Sequence, residues 1–275
     1  MENAGLAAMP LYTPLDRVGR GLAAQGIGPA DPIPPEALFP LDQLHYHGTE
    51  AVRLAAETLG LRDGSRVPDI GSGLGGPARW LAHAVGCQVT AVELQPGMHA
   101  LAEDLTRRSG LTGCVTHLCA DALTVALPVG GFDAAASWLA LLHMPDRHGV
   151  LARMRGALRP GGGVFIEDLC GRAPFAPDDL RVLRQVVCGV MVTGTADYAA
   201  ELEAAGFTNV ASTSLTADWP PFAAQRLAAR RAGHADYARI HGEAAWAAQE
   251  RFYAAIARLC ASGSLGGVRL MARAG

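Results

Sequence analysis

Hydrophobic positions fall into two kinds of segment along the chain. One kind is a short apolar or β-branched run bounded by glycine, proline or polar residues, and such runs predict strands. The predicted strands lie at 66–73, 87–94, 114–121, 132–140, 162–169, 207–219 and 266–274.

The second kind of segment repeats its apolar positions every three or four residues, which predicts amphipathic helices. These segments lie at 14–25, 47–61, 76–85, 96–109, 145–158, 177–189, 195–205 and, almost without interruption, 220–262. Because strands and helices alternate from 66 to 169, we expect a doubly wound, mostly parallel α/β sheet with helices on both faces. Ligands of such sheets bind beyond the carboxyl ends of the strands.

The stretch "GIGPADPIPPEALFP" contains five prolines and predicts a linker or hinge without a regular helix. We therefore divide the chain into an N-terminal helical lid segment, 1–48, and a main domain, 49–275. Two helical additions at about 177–205 and 220–262 are expected to form a cap on that domain.

Composition narrows the functional classes. Half of the 275 residues are hydrophobic and the formal net charge is −3, so neither disorder nor a nucleic-acid partner is indicated. Trp246, Phe252 and Tyr253 in the last long helix are interpreted as packing residues and not as a base-stacking platform. A small-molecule partner fits this composition better.

The cysteines and the N-terminal sequence indicate in which cellular compartment the protein is expected. The six cysteines form no C-x-x-C pair and are interpreted as reduced thiols: Cys87, Cys114, Cys119, Cys170, Cys188 and Cys260. The N-terminus lacks a basic start followed by an apolar run, and no segment is apolar enough to cross a membrane. The expectation is a soluble, cytoplasmic protein with no membrane partner.

A glycine loop follows the first predicted strand in "RVPDIGSGLGGPARWLA". Gly71, Gly73 and Gly76 satisfy the G-x-G-x-x-G fingerprint of dinucleotide sites, but Asp69 just before them indicates a different adenosine-containing cofactor. Glycines in either kind of site let the backbone turn tightly and approach a ligand at a helix start. The loop alone does not choose between the two cofactors.

Acidic residues at later strand ends favour S-adenosylmethionine. Glu93 ends the second strand, where a carboxylate can bind ribose hydroxyls in either kind of site. A site for S-adenosylmethionine must also hold an amino acid and a sulfonium, which makes Asp69 useful. Asp121 closing the third strand and Trp138 ending the fourth add to this pattern.

Five motifs in this order resemble the class I S-adenosylmethionine-dependent methyltransferases over most of the chain: "VPDIGSGLGGPARWLA", "VTAVELQPGM", "CAD", "FDAAASWLALLHMPD" and "LRPGGGVFIED". "LDRVGRGLAAQGIG" and "PLDQLHYHGTEA" are similar to segments of bacterial small-molecule methyltransferases of the sarcosine/dimethylglycine and natural-product type. The resemblance implies a Rossmann-like seven-stranded sheet whose last strand is antiparallel, and S-adenosyl-L-methionine as the cofactor.

The resemblance also implies cofactor-binding residues. The glycine loop would surround the methionine part, and Glu93 would bind the ribose. Leu94, Gln95 and Met98 would lie near the adenine, and Asp121 with Ala122 would meet its amino group. Trp138 would lie beside the sulfonium. The full set is Gln43, Asp69, Gly71, Ser72, Gly73, Gly75, Glu93, Leu94, Gln95, Met98, Asp121, Ala122 and Trp138.

Pro68 departs from the family pattern, which has an aliphatic residue at this place in the first strand. A central strand disfavours a residue without an N–H. Either a ladder hydrogen bond is absent there or the strand starts late.

Methyl transfer is an in-line displacement, so the enzyme aligns the reactants, excludes water and removes a proton where the nucleophile needs it. His143, after the fourth strand, is the strongest candidate base because that strand end faces the acceptor and its ordinary pKa is near neutral. His45 or Tyr46 of the lid is a second candidate for orienting or deprotonating the acceptor. Each has an alternative role in capping or packing a helix.

Glu167 and Asp168 end the fifth strand, and alternation along a strand predicts that one of them faces the acceptor and the other faces away. Simple strand-end hydrogen bonding is the alternative. His45 and His47 lack the carboxylate or cysteine neighbours of a zinc site, and the paired acids of magnesium-dependent catechol methyltransferases are not evident. We predict no metal.

The leading hypothesis is a methyltransferase acting on O, N or C of a small-molecule, secondary-metabolite acceptor that the lid and cap segments enclose. A methyltransferase-fold cyclase or rearrangement enzyme, which keeps the cofactor without net methyl transfer, is the alternative. An NAD-dependent oxidoreductase and a non-catalytic binding protein fit the motifs less well. N-terminal extensions of this kind can exchange between subunits, so a homodimer is a further expectation.

Overall fold

A computed structural model describes residues 15–275, in which the strands form one seven-stranded sheet. The strands are β1 Arg66–Ile70, β2 Gln88–Glu93, β3 Val115–Cys119, β4 Phe132–Trp138, β5 Leu158–Gly171, β6 Phe207–Ser214 and β7 Leu265–Ala274. Their order in the sheet is β3-β2-β1-β4-β5-β7-β6, and β7 runs opposite to both of its neighbours, β5 and β6, whereas the other four pairs of these strands are parallel. The predicted fold class is confirmed.

Helices connect the strands and cover both faces of the sheet. The N-terminal helices are α1 Arg17–Ala24, α2 Pro35–Asp42 and α3 Thr49–Leu59; within the sheet region lie α4 Gly76–Trp80, α5 Pro96–Arg108 and α6 Arg147–Ala157. The later helices are α7 Pro177–Val182, α8 Thr195–Ala204, α9 Trp219–Ala232, α10 His234–His241 and α11 Glu243–Ala261. Helices α4 and α7 each continue into one wider π-helical turn, Leu81–Val85 and Leu183–Val187.

Two predicted elements differ from the observed ones. The proline-rich stretch 26–40 was expected to hold no regular helix, yet α2 begins within it at Pro35. Proline fits the first helical position because the N–H there has no intrahelical partner, and in this two-turn helix Pro40 removes a single later bond. The predicted strand 207–219 ends at Ser214, and Trp219 already begins α9.

The segment 220–262 is helical but is divided into three helices at Gly233 and Gly242. Gly242 has a φ of 91°, a backbone conformation that favours glycine. The first fourteen residues of the predicted lid segment, 1–48, lie outside the described residues.

Pro68 sits inside β1, and the strand does not start late. β1 pairs with β2 over its whole length, but with β4 it pairs only at Asp69. The ladder between β1 and β4 is therefore interrupted beside Pro68, which lacks an N–H. This is the first of the two alternatives drawn from the sequence, the absent ladder hydrogen bond. A side-chain bond adds to this junction, because the Ser137 hydroxyl donates to the Ile70 carbonyl over 2.8 Å.

The cap and the N-terminal segment have hydrophobic clusters of their own. The cap cluster packs beside the carboxyl ends of β4 and β5 and includes Leu142, Leu169, Leu183, Trp219, Ile256 and Leu259. The N-terminal cluster packs α1 and α2 against α5 through Val18, Leu22, Leu38 and Leu105. Among residues 15–275, no helix is long and apolar enough to cross a membrane.

Candidate functional site

A cavity of about 510 Å³ opens at the carboxyl ends of β1, β2, β3 and β4. The strand order reverses between β1 and β4, and open α/β sheets bind ligands at such a point. The cavity is within the usual size of small-molecule sites. Predicted site residues that line it are His45, Asp69, Gly71, Ser72, Gly73, Glu93, Leu94, Gln95, Met98, Asp121, Ala122, Trp138 and His143.

Glu93 is held at the end of β2 by two backbone bonds. Its carboxylate accepts the N–H of Gly73 over 2.9 Å and the N–H of Gln95 over 2.8 Å. Burial raises the pKa of Glu93, and these two bonds oppose that shift. The carboxylate therefore has a fixed position between the glycine loop and α5, with further acceptor capacity toward the cavity.

Asp69 is the most isolated acid of the cavity. It is 1% exposed, and its Oδ2 has no hydrogen-bond partner among the described residues. Burial, together with the nearby charge of Glu93, raises the pKa of Asp69 to about 7. A buried carboxylate oxygen without a partner is costly, so this atom marks a place for a cationic or donor group of a ligand.

Two more buried polar atoms of the lining lack protein partners in the described residues, the Ser72 hydroxyl and the Trp138 indole N–H. Together with Asp69 and Glu93 they offer acceptors and a donor around the glycine loop. S-adenosylmethionine carries an ammonium, a carboxylate and ribose hydroxyls, and these groups match that donor and acceptor set. The residues present therefore fit this cofactor.

The glycine loop fits tightly beside the chain that follows β4. A Cβ on Gly71 would lie 2.3 Å from the Cβ of Ala140, and the φ of Gly71 is +75°. Both the space and the backbone conformation therefore require glycine. Gly73 also has a positive φ, and its N–H is already used by Glu93.

His143 ends the short 3-10 turn Leu141–His143 that follows β4. Its Nδ1 lies 2.9 Å from the Cys188 carbonyl, which can only accept. Nδ1 therefore donates, and in the neutral ring Nε2 keeps its lone pair. Burial lowers the pKa of His143, so the neutral ring with a basic Nε2 is favoured near neutral pH.

His45 lines the same cavity from the N-terminal segment. Its Nε2 lies 3.0 Å from the Gly48 carbonyl, and its ring centroid lies 5.7 Å from that of Trp138. Burial lowers the pKa of His45 to about 4. Two neutral imidazoles thus line one cavity, one from the N-terminal segment and one from the turn after β4.

Three predicted site residues lie outside the cavity lining. The Tyr46 ring is buried against Trp219, with centroids 4.6 Å apart, and belongs to the cap cluster. Gln43 donates to the Asp42 carboxylate. Gly75 belongs to the glycine loop but packs against the His117 ring, which a Cβ at this position would approach to 2.8 Å.

Glu167 and Asp168 do not line the cavity and instead make hydrogen bonds at the end of β5. Glu167 accepts two bonds from Arg269, at 2.6 and 2.8 Å. Asp168 accepts from the Tyr198 hydroxyl over 3.1 Å. Neither carboxylate therefore faces this cavity, because both are used to hold neighbouring elements.

The predicted cap segments, 177–205 and 220–262, also contribute no residue to the cavity lining. They act on it indirectly, as the Cys188 carbonyl does on His143. In the described part of the chain, no group of three or more His, Cys, Asp or Glu side chains could hold a metal ion.

Sequence reasoning missed several lining residues. They belong to the N-terminal segment, lie beside the glycine loop or follow β3 and β4. The full set is Asp42, Leu44, Pro77, Val92, Ala120, Leu123, Leu139, Ala140, Met144, Pro145, Asp146 and Val150. Position directly after β3 and β4 was the available signal for most of them. Leu139 directly follows β4, but its left-handed φ of 51° is unusual for a leucine and could not be read from the sequence.

Sequence comparison finds that this chain is similar to methyltransferases. A family model described as "Methyltransferase domain" matches residues 68–166. Methyltransferase GfsG of Streptomyces halstedii is 31% identical over 188 residues, which is 66% of each protein. The 27-O-demethylrifamycin SV methyltransferase of Amycolatopsis mediterranei is 34% identical over 154 residues, 55% of this chain and 57% of that enzyme.

Two solved structures share the fold. Phosphoethanolamine N-methyltransferase 2 of Haemonchus contortus, in complex with phosphomonomethylethanolamine and S-adenosylhomocysteine, superposes with a TM-score of 0.76 at 19% identity, covering 82% of this chain and 52% of that one. The cyclase SpnF superposes with a TM-score of 0.70 at 23% identity, covering 96% of this chain and 93% of that one. The chain thus spans about half of the Haemonchus protein and, by sequence, just under two thirds of GfsG.

Proposed function

We propose that this chain is a class I S-adenosylmethionine-dependent methyltransferase and that it transfers a methyl group to an O, N or C atom of a small-molecule acceptor. The observation that carries the proposal is the pair of buried acids at the ends of β1 and β2. Glu93 is fixed by the glycine loop, whereas the Oδ2 of Asp69 has no partner among residues 15–275.

The proposed cofactor contacts are those that the resemblance to class I methyltransferases implies, and most of their residues line the cavity. Glu93 binds the ribose hydroxyls, and Asp69 accepts from the ammonium of the methionine part. Residues 94–98 and 121–122 bound the adenine, and Trp138 lies beside the sulfonium. The bound cofactor supplies an electrophilic methyl group on a positively charged sulfur.

The chain's own contribution to the reaction is alignment, exclusion of water and a base. Apolar walls from Trp138, Leu139 and Met144 exclude water around the end of β4. For a hydroxyl acceptor, Nε2 of His143 takes the proton, because Nδ1 is already engaged by Cys188. His45, which is neutral near pH 7, orients the acceptor from the N-terminal segment.

The charged residues around the cavity limit which charge the acceptor can carry. All 23 basic residues are arginines, none of those in residues 15–275 lines the cavity, and residues 1–14 contain no arginine. A phosphate or carboxylate on the acceptor would find no cationic side chain in that lining, and a buried anion without such a partner is costly. We therefore favour an uncharged acceptor, and the rifamycin-modifying relative supports a secondary metabolite. Six free thiols support a reducing, cytoplasmic compartment.

Calorimetric titration with S-adenosylmethionine and S-adenosylhomocysteine, with NAD as the control ligand, tests the cofactor. We expect both sulfur nucleotides to bind and NAD not to bind. Binding of NAD alone, or of none of the three, would contradict the proposal. A screen of acceptors for the mass of one added methyl group then tests the transfer.

The second candidate function is cyclisation or rearrangement without net methyl transfer, which the whole-chain similarity to SpnF favours. Both functions keep the same cofactor residues. A product of unchanged mass, formed only when the cofactor is present, would favour this second function.

A further inference from the structure

Arg147 is a fully buried arginine that lies outside the cavity and is not used by the proposed mechanism. It is the first residue of α6. Its guanidinium forms a bidentate pair with Glu201 of α8, with bonds of 2.6 and 2.7 Å. The guanidinium also lies over the ring of Tyr198, 3.6 Å from the centroid.

The remaining bonds of Arg147 go to the segment between α7 and α8. Nη1 donates to the Met191 carbonyl over 2.7 Å, and Nη2 donates to the Thr193 hydroxyl over 2.6 Å. Arg147 therefore ties this segment, residues 188–193, to both α6 and α8.

The same segment holds the turn that carries His143. The Leu142 carbonyl accepts the N–H groups of Val190 and Met191, each over 2.9 Å. The Cys188 carbonyl accepts from Nδ1 of His143. One segment thus fixes both the backbone beside His143 and the tautomer of its ring.

Cys188 has a left-handed backbone with a φ of 58°. A residue other than glycine keeps such a conformation only where its surroundings impose it. The direction of the Cys188 carbonyl therefore depends on how firmly the segment is held, and Arg147 supplies two of its side-chain bonds.

We propose that Arg147 is a positioning residue, which holds segment 188–193 so that the Cys188 carbonyl keeps His143 in the tautomer with the proton on Nδ1. The role of His143 as the base rests on the proposed function. The tautomer itself can be measured without cofactor or acceptor, so its outcome is separate from any outcome on methyl transfer.

The test is long-range ¹⁵N–¹H NMR of the full chain with ¹⁵N-labelled histidine, with His143 assigned by its loss in His143→Gln. In the native chain we expect one signal set with a protonated Nδ1. In Arg147→Ala we expect that single set to be lost and a second set, with a protonated Nε2, to appear. A folded Arg147→Ala that keeps the native signal set would overturn the proposal.

Glu201→Gln is the matched control, because it weakens the ion pair of Arg147 while leaving the donors to Met191 and Thr193 in place. It should lower stability and leave the tautomer unchanged. A tautomer change in Glu201→Gln as large as that in Arg147→Ala would show that only general loosening is involved. If Arg147→Ala does not fold, Thr193→Val removes one bond of the segment, and an unchanged His143 spectrum in that variant would overturn the proposal.

Discussion

Arg79 donates to Asp42 over 2.8 Å, and the side chains of both residues are 1% exposed. The bond joins α4, directly after the glycine loop, to the end of α2. Arg79 also donates to the carbonyls of Leu74 and Ala102. This buried pair therefore fastens the N-terminal segment to the loop, and with it His45, which lines the cavity.

Asp42→Ala should destabilise the protein by about 3–5 kcal/mol, because it leaves the Arg79 guanidinium buried without its counter-charge. Urea unfolding followed by circular dichroism measures the change. Glu57→Ala is the control, since the ion pair of Glu57 with Arg53 is exposed and should contribute less than about 1 kcal/mol. Equal losses in the two variants would contradict the role assigned to the buried pair.

Glu93→Ala should weaken binding of S-adenosylhomocysteine by about 1–3 kcal/mol, because the ribose loses a fixed charged acceptor and Gly73 loses its hydrogen-bond partner. Calorimetry measures the change in affinity. Glu103→Ala, which removes a mostly exposed carboxylate from α5, should leave the affinity unchanged. An unaltered affinity in Glu93→Ala would remove Glu93 from the cofactor site.

The sequence allowed the sheet and most of the glycine-loop side of the cavity to be predicted. Glycine conformation, strand-end acids and motif order are local signals, and Gly71, Glu93 and Asp121 follow from them directly. Pro68 also indicated an irregular first strand, because β1 lies between two strands and a residue without an N–H there costs a ladder hydrogen bond.

Contacts between segments far apart in the sequence could not be predicted from such local sequence features. Tyr46 looks like a catalytic residue beside His45, but it packs against Trp219, which is 173 positions away in the sequence. Asp168 at a strand end is equally plausible as an acceptor ligand until Tyr198 is found beside it. Which way such a side chain faces depends on tertiary packing, and the motif does not encode it.

Asp69→Asn should stabilise the protein at pH 8. The pKa of Asp69 is raised to about 7 in the folded chain, so the folded state holds a proton that the unfolded state releases at a lower pH. This carboxylate's contribution to stability is therefore full below about pH 4, falls as the pH rises to about 7 and stays low above it. Asn resembles the protonated form and has no such dependence.

Urea unfolding of the native chain and Asp69→Asn at pH 5 and pH 8 tests this expectation. The gain of the variant over the native chain should be larger at pH 8 than at pH 5, by about 2–3 kcal/mol, since the pH range between 5 and the folded pKa of about 7 spans two units at 1.36 kcal/mol each. The same variant should bind S-adenosylmethionine more weakly, since the ammonium then meets a neutral amide oxygen instead of a charged carboxylate. A gain independent of pH would show that Asp69 titrates in the folded protein as it does in the unfolded chain.

His143→Ala should lower kcat about 100-fold for a hydroxyl acceptor identified by mass shift, because the group that takes the proton is lost. The affinity for S-adenosylhomocysteine should remain, since Glu93 and the glycine loop are untouched. Tyr46→Phe is the matched variant: it keeps the ring that packs against Trp219 and should leave kcat close to the native value. If Tyr46→Phe lost as much activity as His143→Ala, the base would have to be sought in the N-terminal segment instead of at the end of β4.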